Sequence, residues 1–258
     1  AEKRSNEFCT RLIDAGSKFW WSGCYEIGTV HRYKQESMDL MQESRCHMIG
    51  VGAEAGSAEQ QEKIKKNIDV GHFEYSLGEM NRRNITTGLS WIIGYPTETP
   101  ESMLETLRVA AEMKYRFPRS ASDVYPFRPI PGTEDFDKSV EMGYRPPTDL
   151  EGWGAMLEYR LEIDDLQLPE EVIRTWRRYG VASTFYDGLA KEGAGWVRGL
   201  MQRISGWRLR NNNYAMPVEG RLFHAYVKAT NQTLKKPPVV APTEDLDRTP
   251  GVTPSAPL

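Results

Sequence analysis

The chain has 258 residues, 39% of them apolar, and a formal net charge of −3, which is enough for one large domain or two modest ones around a packed core. Basic and acidic residues are interleaved, as in Glu62-Lys63-Ile64-Lys65-Lys66, so no dedicated nucleic-acid surface is expected; Arg203, Arg208 and Arg210 come nearest and read as a solvated helix face. No apolar run approaches the roughly 18 residues that span a bilayer, and Ala1-Glu2-Lys3-Arg4-Ser5 opens no signal peptide, so the expectation is a soluble, cytoplasmic protein.

Residues 5–16 read as a helix capped by Ser5, with Phe8, Leu12 and Ile13 on one face and Gly16 as its stop. Phe19-Trp20-Trp21 reads as a strand running toward Gly23. Residues 36–44 place Met38, Leu40 and Met41 in a helical window, and residues 47–51 form the next strand. A charged helix is expected over 58–66, another over 73–83, and a strand over 85–93. Thr99 and Pro100 suit a helix cap and first helical position, opening a helix that buries Met103, Leu104, Leu107, Ala110 and Ala111 and ends near Tyr115. Residues 122–127 are the last strand of the series.

Helix and strand alternate throughout, which predicts an α/β fold, a partial (β/α) barrel of parallel strands joined by helical crossovers. After Pro131-Gly132-Thr133 the strands give way to helical stretches rich in Trp, Tyr and Arg. The expected organisation is a barrel portion over 1–143, a helical C-terminal region over 144–234, and a disordered proline-rich tail over 235–258.

Two strand ends carry the chemistry. Ile49-Gly50-Val51-Gly52-Ala53-Glu54-Ala55-Gly56-Ser57 is an apolar strand that delivers a carboxylate among glycines. Leu89-Ser90-Trp91-Ile92-Ile93-Gly94-Tyr95-Pro96-Thr97-Glu98 repeats the scheme about forty residues later, the length of one strand, helix and return. Side chains alternate along a strand, so Ser90 points into the barrel if Trp91 points out. Cys9, Cys24 and Cys46 are odd in number and widely spaced, and they read as reduced and structural. His31, His47, His72 and His224 are isolated, and no pair has metal-ligand spacing.

The run from Gly50 to Ser57 resembles the strand-four motif of radical S-adenosylmethionine enzymes. Trp91 to Glu98 is similar to their strand-five motif, in which an apolar strand ends in Gly-x-Pro-x-Glu, and Pro129-Ile130-Pro131-Gly132-Thr133 looks like the turn after strand six. The ordered set, with a helical extension after it, looks most like the cobalamin-dependent branch. That resemblance implies a site for S-adenosylmethionine. Glu54, with Ser57 close by, would lie near the ribose or methionine end, and Ile93, Gly94 and Tyr95 would meet the adenine, with Ser90 facing the barrel interior. Lys65 or Lys66 loosely matches a residue that pairs with the methionine carboxylate. Trp153, Tyr159, Trp176, Tyr179, Phe185 and Tyr186 would shape a lid or substrate pocket. Glycine permits close backbone approach, and a carboxylate can accept two ribose hydroxyl protons.

The CxxxCxxC loop that would hold the family's 4Fe-4S cluster is missing, as is any cobalamin-binding domain before the barrel. Lacking those thiolates, the chain is expected to be inactive alone. The absence of an initiating Met suggests a C-terminal portion of a larger enzyme, whose N-terminal part would be its partner. The alternatives are a non-catalytic nucleotide-binding or scaffold domain derived from the same barrel, and an unrelated β/α barrel. Glu54 could also simply cap the helix near Ser57, and Gly94-Tyr95-Pro96 could be an ordinary turn.

Overall fold

The computed structural model describes residues 2–66, 68–157, 168–187 and 195–215. In chain order these form α1 (Glu2–Asp14), β1 (Trp21–Tyr25), α2 (Ile27–His31), α3 (Gln35–Glu43), β2 (Cys46–Glu54), α4 (Ala58–Lys63), α5 (Val70–Arg82), β3 (Thr86–Ile93), α6 (Pro100–Arg116), β4 (Ser120–Pro126), α7 (Glu134–Glu141), α8 (Leu150–Leu157), α9 (Glu170–Tyr186) and α10 (Gly195–Asn211). No helix among them is long and apolar enough to cross a membrane. The region expected as a proline-rich tail lies outside the described residues.

The strands are all parallel and lie in the order β1-β2-β3-β4. This order moves one strand along at each crossover, as in a (β/α) barrel, so crossovers of one hand keep their helices on one face. The fold is therefore α/β, with helices following the sheet.

Alternation along the strands divides the sheet cleanly. On one face Ile49, Val51, Leu89, Trp91, Ile93 and Val124 are buried in the core with Met38, Phe73, Leu77 and Leu107 of the helices. Polar groups on that face are satisfied: Trp91 Nε1 donates to Ser122 Oγ at 2.9 Å, and Ser122 Oγ donates to Ala110 O at 2.9 Å. The other face carries small or polar residues in register across strands, Cys24 beside Gly50 and Gly88, then Gly52 beside Ser90 and Asp123.

Several elements differ from the sequence expectation. Helix α1 starts before Ser5, which packs inside it and shares a 2.9 Å hydrogen bond with the Tyr25 hydroxyl instead of capping. Strand β1 begins only at Trp21, because its pairing partner β2 begins at Cys46; Phe19 and Trp20 stay exposed, and the Arg45 guanidinium lies 5.3 Å above the Trp20 ring. Helix α2 was not expected. It has five residues, too few for a periodicity, yet it buries Ile27 and Val30. Helix α7 follows the Pro131-Gly132-Thr133 turn because Thr133 Oγ1 accepts from Phe136 N at 3.2 Å.

The two edges of the sheet are finished differently. Strand β1 has no neighbour beyond β2 among the described strands. Strand β4 instead offers its outward carbonyls to side chains: Lys114 Nζ donates to Ser120 O at 2.7 Å, the Tyr179 hydroxyl to Ser122 O, and Trp176 Nε1 to Val124 O at 2.7 Å. Helix α9 thus runs along the edge antiparallel to β4, where a fifth strand would otherwise pair. Tyr179 is almost fully buried, and burial pushes its phenol well above the ordinary tyrosine range.

Two substitutions test this packing. Tyr179→Phe keeps the ring and strands the Ser122 carbonyl, so urea denaturation is expected to show a loss of about 1–3 kcal/mol. Gly56→Ala places a Cβ 2.8 Å from Thr106 Cα and 2.9 Å from Val109 Cβ; neither backbone nor branched carbon can yield, and a loss of about 1–3 kcal/mol is expected in the same assay. Wild-type stability in either variant would refute the corresponding contact.

Candidate functional site

The carboxyl end of β2 is held in an unusual conformation. Glu54 has φ +62°, a left-handed value that costs a non-glycine residue about 1 kcal/mol or more. The twist folds its side chain back over the open face of the sheet. Gly52 makes this possible, since a Cβ there would sit 2.8 Å from Glu54 Oε1. The carboxylate is then held from two sides: the Tyr95 hydroxyl donates to Oε2 at 3.2 Å, and Lys66 Nζ lies 3.3 Å from Oε1. Burial, followed by the charge of Glu54, pushes the Tyr95 phenol far above its ordinary value, so it remains a donor. Lys65 faces elsewhere, in an exposed pair with Glu134 at 3.8 Å.

Glu54 does not cap the next helix. Ser57 does, its Oγ accepting from Gln60 N at 3.3 Å. Between them Gly56 packs directly on α6, donating its N–H to Thr106 Oγ1 at 3.0 Å.

At the end of β3, Gly94 turns the chain at φ +86° and Thr97 follows at φ +67°. The buried Glu98 carboxylate organises this turn: Oε2 accepts from Gly94 N at 2.7 Å and Tyr95 N at 3.1 Å, and Oε1 accepts from Ser102 Oγ at 2.8 Å. Burial raises the Glu98 pKa, and these donors oppose the shift. The amides of Gly94 and Tyr95 are therefore engaged within the loop. The Ile93 side chain is in the core, and its carbonyl accepts from Phe127 N at 2.7 Å. What this loop presents outward is the Tyr95 ring, 4.9 Å from that of Phe127. Ser90 is exposed on the open face, in register with Gly52 and Asp123, opposite in direction to the buried Trp91.

Beside this face, between β4 and α9, lies a cavity of about 450 Å³. Its polar lining includes Asp123, Arg128, Arg177 and Asp187, with Trp176 and Tyr179 as aromatic wall. Of the other aromatic residues expected to shape a pocket, Phe185 is buried, Tyr186 packs on Tyr115 with ring centroids 6.2 Å apart, Trp153 is half-buried in α8, and Tyr159 lies outside the described residues. Asp123 and Arg177 were not singled out by the sequence reading. The usable signal was a lone acid in an otherwise small or apolar strand, at the period-two position that faces away from Val124.

The thiols are not arranged for a metal. Cys9 and Cys46 are buried and Cys24 is exposed, all three free. Burial pushes Cys46 up to about 12, which disfavours the thiolate a metal requires. Among the described residues no three His, Cys, Asp or Glu side chains come together as a metal site.

No family model and no curated protein matches the chain. Among solved structures it is similar to the cobalamin-dependent S-adenosylmethionine radical enzyme OxsB with aqua-cobalamin bound, at TM-score 0.44 and 10% identity over 89% of this chain and 40% of that one. It is likewise similar to the radical S-adenosylmethionine methyltransferase TsrM from Kitasatospora setae with cobalamin and a [4Fe-4S] cluster bound, at TM-score 0.44 and 16% identity over 83% of this chain and 49% of that one. The chain thus spans less than half the length of either.

Proposed function

We propose that this chain is the distal part of a radical S-adenosylmethionine enzyme of the cobalamin-dependent type, and that the open face at the carboxyl ends of β2 and β3 holds the nucleoside. The observation that carries this reading is the Glu54 carboxylate, folded over Gly52 in a left-handed conformation and steadied by Tyr95 and Lys66. A carboxylate has about four acceptor directions, so two contacts leave room for the pair of hydroxyls on a ribose. The Tyr95–Phe127 pair supplies an aromatic wall close by, and Lys66 supplies a cation within reach of a carboxylate. The ordered motifs read from the sequence point to the same ligand.

The residues fit a nucleoside; they do not fit an iron–sulfur cluster, whose thiolates would have to come from another part of the enzyme. S-adenosylmethionine, when bound, supplies the group that is cleaved or transferred. Glu54 orients the ribose, Tyr95 keeps Glu54 in place by donating a hydrogen bond, and Lys66 balances its charge. A second reading uses the same site without chemistry, as a nucleotide-binding domain derived from the barrel; the free thiols favour it for this chain alone.

Isothermal titration of the chain with S-adenosylmethionine tests the site. Binding is expected, and Glu54→Gln is expected to weaken it by about 10–100-fold, as befits charge-assisted hydrogen bonds worth about 1.5–3 kcal/mol. Absence of binding, or an unchanged affinity in the variant, would remove the nucleoside assignment. Sequencing the gene upstream of Ala1 separates the two readings. An in-frame CxxxCxxC is expected for the enzyme, whereas a stop codon immediately upstream would leave only the binding domain.

A further inference from the structure

The cavity between β4 and α9 is polarised along its length. Because Trp176 meets Val124, Tyr179 meets Ser122, and Asp187 meets the Lys114 ammonium that also binds Ser120, helix and strand run in opposite directions past each other. Arg177 and Arg128 consequently stand toward the carboxyl end of β4, while Asp187 stands toward its amino end, about 15 Å from Arg177 along the helix at 1.5 Å per residue. Asp123 lies level with the Trp176–Tyr179 turn that carries Arg177, since its neighbours Val124 and Ser122 meet Trp176 and Tyr179. Midway along the helix Gly180 leaves the space empty, with nothing within 4 Å of where its Cβ would be.

The charges in this cavity are unevenly compensated. Asp187 is neutralised by the buried Lys114. Asp123 has no ion pair or hydrogen bond to its carboxylate among the described residues. Burial raises its pKa, the charge of Asp187 raises it further, and only Lys114 works in the opposite direction. An exposed carboxylate facing the cavity is open to a cationic donor supplied by a ligand. Arg177, exposed on the neighbouring turn of α9, offers a planar fork suited to a carboxylate or phosphate. A volume of about 450 Å³ lies within the range of small-molecule pockets.

We infer that this cavity binds a small amphoteric molecule, one that carries a protonated amine toward Asp123 and an anionic group toward Arg177, with the Trp176 ring against the chain that joins them. Asp123 is the register neighbour of Ser90 and, through it, of Gly52 beneath the Glu54 carboxylate. The bound molecule therefore lies on the same open face as the proposed nucleoside. Its role as the acceptor of the transferred group or radical rests on the reading given under Proposed function; its recognition by charge does not.

The test uses the chain as it stands and three probes of one length: 6-aminohexanoate, hexanoate and hexylamine. Calorimetric titration is expected to show 6-aminohexanoate binding at least tenfold more tightly than either singly charged probe. Asp123→Asn is expected to lower its affinity to that of hexanoate, and Arg177→Gln to that of hexylamine, with thermal melts confirming that both variants fold. Equal affinities for the three probes, no binding by any of them, or unchanged binding in both variants would overturn the proposal. The three-probe comparison needs no substitution, so it decides even if a variant is unstable. S-adenosylmethionine titrated into the same sample reports separately: its failure beside intact 6-aminohexanoate binding would reject the nucleoside and leave the amphoteric site standing.

Discussion

The structure depends on how the outer edge of β4 is closed. A buried strand edge with unpaired carbonyls is costly, and in most sheets another strand removes that cost. Here three side chains do so, Lys114 from α6 and Trp176 and Tyr179 from α9, each donating to one of the carbonyls at 120, 122 and 124. Closing an edge with side chains has a geometric effect that a strand would not have. A helix stands farther from the sheet than a strand does, and the gap left between α9 and the open face is the polarised cavity. Helix α10 in turn packs against α9, with Gly206 lying under the Tyr186 ring, so the helical C-terminal elements take their position from the same closure.

Much of the sheet was legible in the sequence because period-two alternation and glycine-bounded apolar runs are local signals. Strands β2, β3 and β4, the cap at Thr99 and the first-turn proline of α6 follow from residue types at fixed spacing. What escaped was set by contacts between distant residues. Ser5 looks like a cap and instead meets Tyr25; Trp20 looks like strand and instead lies beneath Arg45; α2 is too short to show a period. The candidate site divides the same way. Glu54 and Ser90 stand out by position in the chain, but the left-handed twist at Glu54, the lateral hold from Tyr95 and the partnership of Asp123 with α9 depend on elements brought together only by folding.

The three motifs share a physical element that is independent of any ligand. Each ends in, or is directly followed by, a hydroxyl residue that accepts a backbone N–H at a helix start: Ser57 for α4, Thr99 for α6 and Thr133 for α7. Their glycines serve packing and turning as much as approach by a ligand, since Gly56 touches α6 and Gly94 turns the loop that Glu98 closes. Part of what makes such motifs recognisable is thus the repeated need to turn from a strand into a capped helix. The residue that this need leaves unexplained is Glu54, which caps nothing and holds a strained backbone.

The unlike ends of the sheet also fix where it can grow. With the β4 side closed by Lys114, Trp176 and Tyr179, the described sheet has its free backbone edge at β1. A parallel strand supplied by another segment of the intact protein would therefore pair with β1, and the open face that carries Glu54 would extend in that direction, away from the cavity beside α9.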